Sequence, residues 1–252
     1  MPHDPLFDFS GRGALVTGGS RGLGKCMARA FAERGARVLI TSRHEEELKS
    51  AAAEIGKAEW AVNDLASPKG AAELAKTAIE RLGRVDILVN NAGTNLPQPI
   101  DQVTDEAWET MIQLNLSGVM RLTRALVPGM KERKWGRIIH ISSVLGLGGK
   151  EGRNGYCATK AALIGMAQAS ALDLGTHGIT VNCIAPGPFL TDLPGKLLTD
   201  AQKKHFADRT AMLRWGRPEE IAGAALLLAG EGGSYITGSV ITVDGGCSAR
   251  ML

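Results

Sequence analysis

No apolar run in this 252-residue chain approaches the ~20 residues needed to span a bilayer, so no transmembrane helix is expected. Cysteine is scarce. Cys26, Cys157, Cys183 and Cys247 lie far apart and form no C-x-x-C pair, which reads as reduced thiols in a cytoplasmic protein. The five histidines, at 3, 44, 140, 177 and 205, show no metal-ligand spacing, and no metal is expected. The net charge is only +3 and the chain has no long basic block, so nucleic acid is not favoured as a partner. Met1 to Gly13 carries Asp4 and Asp8 and lacks an apolar segment, which argues against a secretory signal.

What is present fits one large domain over residues 1–252, with 44% hydrophobic and 22% charged residues. Short apolar runs recur: Ala14–Val16, Val38–Ile40, Trp60–Val62, Ile87–Val89, Ile138–Ile141, Ile179–Val181 and Val240–Val243. Longer stretches of helical periodicity separate most of them. This alternation predicts an α/β fold: a doubly wound, seven-stranded parallel sheet with helices on both faces. The 32 glycines are scattered among tight turns.

Asn154-Gly-Tyr-Cys-Ala-Thr-Lys160 reads as a helix start, with Asn154 as cap and an Ala-rich run following to Ala171. On a helix Tyr156 and Lys160 share a face. A cation near a phenol lowers its pKa and prepares it for acid–base work. Alone, such a pair is usually a surface accident. The first strand, however, runs into Thr17-Gly18-Gly-Ser20-Arg21-Gly22-Leu23-Gly24, followed by a helix to about Glu33. A glycine turn into a helix N-terminus cradles phosphate, although the G-x-x-x-G-x-G spacing differs from G-x-G-x-x-G. The alternative is a glycine turn without a ligand.

The second strand ends in Thr41-Ser42-Arg43, with no acid to hold ribose hydroxyls. Arg43, Ser42 and Arg21 suit a 2′-phosphate, which predicts NADP over NAD; the alternative pairs Arg43 with Glu46 or Glu47 on a solvated helix. Asp64, followed by Leu65, either accepts from an adenine amino group or caps a helix near Ser67. Asn90-Asn91-Ala92-Gly93 ends the fourth strand with residues small enough for a ligand crevice. Asn115 sits among apolar neighbours in a helix predicted from Asp105 to about Lys134. Burial there would signal a bent helix or a bound water.

Together these pieces resemble the short-chain dehydrogenase/reductase family from about Asp8 to Gly246. The matching motifs are Thr17-Gly18-x-x-x-Gly22-x-Gly24, Asn90–Gly93, Asn115, Ser143, Tyr156-x-x-x-Lys160 and Pro186-Gly187-x-x-x-Thr191. The resemblance implies a single-domain Rossmann fold and hydride transfer between a nicotinamide cofactor and a secondary alcohol or ketone. It implies that Tyr156 donates or takes the proton and that Lys160 lowers its pKa and holds the nicotinamide ribose. Ser143, thirteen residues before Tyr156, would bond the substrate oxygen, and Asn115 would hold a relay water. Gly18, Ser20, Arg21, Gly22, Leu23 and Gly24 would cradle the pyrophosphate side, and Ser42 and Arg43 the 2′-phosphate. Asp64 and Leu65 would flank the adenine, with Asn91, Ala92 and Gly93 beside the adenosine. Pro186, Gly187, Phe189 and Thr191 would meet the carboxamide. A homotetramer is implied as well.

A substrate flap is expected over about 188–217, with prolines at 188 and 194 and an amphipathic run from Leu197 to Ala211. Asn95, Lys150, Arg153 and His205 are candidates to meet a polar or anionic substrate, or else are solvated loop residues. Two substrate readings compete. Leu6–Arg12, Gly187–Asp192 and Arg214–Glu220 resemble gluconate 5-dehydrogenases, which implies a sugar acid or polyol. The alternative is a 3-oxoacyl-acyl-carrier-protein reductase. Such family members carry carrier-docking arginines where this chain has Lys134 and His177. A non-catalytic dinucleotide sensor is the reading from another class; the presence of Tyr156, Lys160, Ser143 and Asn115 weighs against it.

Overall fold

The computed structural model describes residues 4–56, 58–191 and 199–249. All seven expected strands form, as β1 (Gly13–Thr17), β2 (Arg37–Ser42), β3 (Ala58–Val62), β4 (Ile87–Asn90), β5 (Gly136–Ile141), β6 (Ile179–Pro186) and β7 (Val240–Val243). They make one parallel sheet in the order β3-β2-β1-β4-β5-β6-β7. β1, β4, β5 and β6 are buried along their whole length, as a sheet covered on both faces requires.

The helices are α1 (Gly22–Ala32), α2 (Glu45–Ile55), α3 (Gly70–Leu82), α4 (Asp105–Ile112), α5 (Gly118–Arg133), α6 (Asn154–Leu174), α7 (Asp200–Asp208) and α8 (Ala222–Ala229). Alternate strand residues feed two cores. Val16, Ile40, Ile139 and Ile184 pack against Met27 and Phe31 of α1, Leu48 of α2 and Leu228 of α8. Leu15, Leu39, Ile138 and Val181 pack against Leu74 of α3, Leu122 and Leu126 of α5 and Ala167 of α6. No helix among the described residues is long and apolar enough to cross a membrane. Pro194, Asp192 and the start of the amphipathic run at Leu197 lie outside the described residues.

The strand order reverses beside β1, whose neighbours are β2 and β4. A crevice therefore opens at the carboxyl ends of β1 and β4, where Thr17-Gly18 and Asn90-Asn91 emerge. One expectation fails locally. The helix predicted from Asp105 to Lys134 is not continuous, because a π-helical turn at Gln113–Ser117 separates α4 from α5. Asn115 sits in that turn.

A polar row crosses the sheet one layer below the crevice. Asn90, His140 and Cys183 are neighbours in register on β4, β5 and β6. The Asn90 amide lies 3.0 Å from His140 Nδ1 and donates to Thr123 Oγ1 at 3.3 Å. Burial, reinforced by the Lys160 charge, pushes the His140 pKa down to about 4 from 6.5. A base depressed in the folded state contributes stability above its unfolded pKa and loses it as the pH falls through the folded one. That window runs from pH 6.5 to 4 and is worth about 3 kcal/mol at its end. Urea unfolding of the wild type should lose about that much more stability across the window than unfolding of His140→Asn. Parallel pH curves for the two proteins would show that His140 is not the responsible group.

Candidate active site

Tyr156 and Lys160 face the crevice from the first turns of α6. The helix begins at Asn154 as expected, but Asn154 does not cap it. Arg153 occupies the cap position and makes no side-chain cap bond. α6 crosses close to α4, where any side chain at Gly155 would run into Met111. Lys160 is 4% exposed. Its Nζ donates to the Ile141 carbonyl at 2.7 Å and lies 5.5 Å from the centre of the Tyr156 ring. Burial brings its pKa down to about 8.

The Tyr156 phenol behaves differently from the expectation that Lys160 lowers it. Burial raises its pKa, while a hydrogen bond with Ser143 and the Arg153 charge act in the opposite direction. The physical reason is the order of titration: burial brings Lys160 down to about 8, so the lysine loses its charge before a phenol raised from 10 ionises. Ser142 and Ser143 are separated by the strand's two-residue alternation. Ser142 Oγ donates to the Lys160 carbonyl at 2.8 Å and so braces α6, whereas Ser143 is the one that meets Tyr156.

Asn115 is fully buried. Its Oδ1 accepts from the Thr94 amide at 2.8 Å, and its Nδ2 donates to the Thr94 carbonyl at 2.8 Å and to Thr159 Oγ1 at 3.2 Å. Sequence reasoning missed Thr94 and Thr159, which carry no motif of their own. The π-turn aims the amide sideways at the β4 loop and at α6. Gly93 lies across this corner; a Cβ there would stand 3.2 Å from Asn115 Oδ1 and 3.5 Å from Lys160 Nζ.

The glycine loop is clamped from β4. Asn91 Nδ2 donates to the Thr17 and Gly18 carbonyls at 2.9 and 3.0 Å. Thr17 Oγ1 in turn accepts from the Asn91 and Ala92 amides, both at 3.0 Å. The Asn91 amide is thus committed to shaping the loop. α1 starts without a side-chain cap and without an acid in its first turn, so the amides of Gly22, Leu23 and Gly24 lack intrahelical partners. Gly22 has φ +53, and a Cβ there would stand 3.3 Å from the Thr191 side chain across the cleft. An uncapped helix N-terminus and a bare glycine wall facing Thr191 fit a dinucleotide pyrophosphate.

The flanking candidates divide. Asp64 is exposed, and its Oδ1 accepts from the Ala66 amide at 3.1 Å, so it closes a turn; α3 begins only at Gly70. Leu65 is buried in the core. Ser42 Oγ accepts from the His44 amide at 3.2 Å. Arg43 is exposed, and among the described residues it makes no ion pair with Glu46 or Glu47. Glu46 pairs with Lys49, and Glu47 pairs with Arg21. Pro186 ends β6, Gly187 bonds to the Val243 carbonyl, and Phe189 is buried against Gly216. Among the described residues no cluster could hold a metal ion.

Three cations, Lys150, Arg153 and Arg209, act on one another near the start of α6, with Glu151 opposing them at Lys150. Arg153 acts on Tyr156 electrostatically, and both Arg153 and Arg209 lower the Lys150 pKa, after burial as the main cause. Arg153 has one buried guanidinium nitrogen, Nη1, without a hydrogen-bond partner in the structure. Lys150 lies 4.2 Å over the Phe206 ring, and Phe206 packs edge-on against Trp215 at 5.3 Å. Trp215 Nε1 donates to the Lys203 carbonyl at 2.8 Å, which fixes α7 against the loop after it. His205 and Asn95 are exposed. Sequence reasoning named Lys150 and Arg153 but missed Arg209, which is distant in the chain and reaches this rim through the packing of α7.

A family model described as enoyl-(acyl carrier protein) reductase matches residues 18–248. The chain is 39% identical over 240 residues to a 3-oxoacyl-acyl-carrier-protein reductase of Chlamydia muridarum, covering 93% of this chain and 96% of that one. It is 36% identical over 260 residues to a gluconate 5-dehydrogenase of Gluconobacter oxydans, covering all of both chains. The crystal structure of a gluconate 5-dehydrogenase from Burkholderia cenocepacia in complex with NADP and tartrate superposes with a TM-score of 0.92. It shares 33% identity and covers 98% of this chain and 99% of that one.

Removal of the Asn115 amide leaves the Thr94 backbone groups and Thr159 without their partner in a buried corner. Asn115→Ala should lower stability to urea by about 2–4 kcal/mol. A loss below about 0.5 kcal/mol would show that solvent or repacking replaces the amide at no cost.

Proposed function

The chain belongs to the short-chain dehydrogenase/reductase family of oxidoreductases, and from that premise we propose that it interconverts a secondary alcohol and a ketone on a sugar acid, with NADP as cofactor. The nicotinamide supplies or takes up the hydride when bound. The rest falls to the chain. Gly18 to Gly24 and Thr191 line the cleft that would hold the dinucleotide, with Arg21 and Arg43 toward the 2′-phosphate. NADP in the complex of the Burkholderia cenocepacia relative supports this cofactor.

In carbonyl reduction the substrate oxygen gains negative charge and needs hydrogen bonds and a proton. Ser143 and Tyr156 offer two hydroxyls in contact with one another. Tyr156 gives its proton to the oxygen in reduction and recovers it in oxidation. Lys160 supplies the nearby positive charge, and Asn115 with Gly93 keeps the corner around its ammonium open to a water.

The observation that carries the substrate class is Arg153, which acts on Tyr156 and, with Arg209, on Lys150. A carboxylate on the substrate would be drawn to the Arg153 guanidinium and relieve its repulsion with Lys150. The acyl-carrier reading has weaker support. Lys134 ends α5 in a left-handed conformation before β5, and His177 precedes β6, so both lie at the amino ends of strands, opposite the crevice. Exposed Trp108, Met120 and Leu172 on α4, α5 and α6 support assembly into a homotetramer through those helices.

NADPH consumption should be clearly faster with 5-keto-gluconate than with an acetoacetyl thioester; the reverse preference would restore the acyl-reductase reading. Arg153→Met should raise KM for the keto acid at least about tenfold with little change in kcat and leave a neutral ketone unaffected. Tyr156→Phe should lower turnover by about 10²–10⁴, whereas a dinucleotide sensor would be indifferent to it. The Lys160 cation is present below its pKa and lost above it. The reduction rate should therefore fall as pH rises through about 8, and a flat profile from pH 7 to 9.5 would remove Lys160 from the step.

A further inference from the structure

The two glycine-loop residues nearest the 2′-phosphate position are engaged by a carboxylate that arrives from a different element. Ser20 Oγ donates to Glu47 Oε2 at 3.1 Å, and the Arg21 guanidinium lies 3.5 Å from Glu47 Oε1. Glu47 stands in the first turn of α2, just after Ser42 and Arg43. The Gly19 amide bonds to the Thr41 carbonyl at 3.1 Å and ties the loop to the end of β2. Arg21, Ser20 and Glu47 therefore share one corner of the crevice, beside the end of β2 that Arg43 follows. The other acids of that turn, Glu45 and Glu46, are both drawn to Lys49 and away from it.

We propose that Glu47 is a specificity-determining residue that restrains the preference for NADP over NAD; this rests on the NADP reading above. A 2′-phosphate that recruits Arg21 must take the guanidinium from Glu47 and must tolerate the carboxylate's charge nearby. A ribose hydroxyl meets neither penalty. Many Rossmann folds place an acid at the end of the second strand. Here β2 ends at Ser42 with Arg43 after it, and the carboxylate enters one turn later, where it opposes Arg21 without displacing it. The Arg21–Glu47 pair is about half exposed, with side-chain exposures of 54% and 41%, so the restraint is modest. Its removal should change affinity by about two- to fivefold.

The test is equilibrium binding without a carbonyl substrate, followed by the fluorescence of the reduced nicotinamide. Wild type, Glu47→Gln, Glu47→Asp and Arg43→Ala are each titrated with NADPH and with NADH. Glu47→Gln should bind NADPH about two- to fivefold more tightly with NADH affinity unchanged, Glu47→Asp should fall between, and the difference should shrink in high salt. A wild-type preference for NADPH that Glu47→Gln leaves unaltered or reduces would overturn the role of Glu47 alone. A wild-type preference for NADH, with NADPH binding indifferent to Arg43→Ala, would instead overturn the cofactor reading beneath it.

Discussion

An ammonium group with almost no solvent exposure has to be solvated by protein, and Lys160 imposes that demand on everything around it. The Ile141 carbonyl at the end of β5 accepts a hydrogen bond from it, and Ser142 holds the Lys160 backbone so that the carbonyl stays in reach. Gly93 leaves room beside it, and Asn115 closes the neighbouring corner by bonding Thr94 and Thr159 from a helix distorted by a π-turn. Removing the charge from water costs several kcal/mol in principle, and the lowered pKa of the lysine records that cost. The site is thus less stable than an apolar corner would be, which is common where a fold gives up stability for chemistry.

The parallel sheet explains why these groups meet. Strands that run in one direction all end at one edge, so Thr17, Asn90 and Ser142-Ser143 emerge side by side although they are far apart in sequence. The order reversal at β1 splays the following helices and opens the crevice. Asn91 then couples its two halves: it stiffens the glycine loop through the Thr17 and Gly18 carbonyls while its own backbone hangs on Thr17 Oγ1. A rigid loop keeps the uncapped amides of α1 aimed into the crevice, which would lower the entropy lost on binding a phosphate there. The same edge collects opposed charges. The Arg21 and Glu47 corner lies at one end of the crevice and the Lys150, Arg153 and Arg209 rim near the start of α6.

Much of this was legible in the chain. The seven strands could be read because buried parallel strands are short, continuous apolar runs bounded by polar residues, and the observed limits differ from those runs by a few residues. The glycine loop, Tyr156 and Lys160 could be read because their spacing is local. Asn115 was flagged by the cost of an amide among apolar neighbours, and the π-turn is the structural answer to that cost. An Asn at a helix start is a statistical cap signal, but α6 already includes Asn154 and Arg153 holds the cap position.

Local pattern therefore determined the elements, their alternation and the candidate groups for moving a proton, since propensity, periodicity and spacing act over a few residues. Only the tertiary structure decided the direction in which each group is tuned. Lys160 turns to a carbonyl of β5, the Tyr156 phenol is raised by burial, Arg209 joins Lys150 across the rim, and Glu47 leaves Arg43 for Ser20 and Arg21. Electrostatic and desolvation energies depend on distance through space and on the depth of burial. Neither is fixed until helices separated by tens of residues have packed against the same sheet edge.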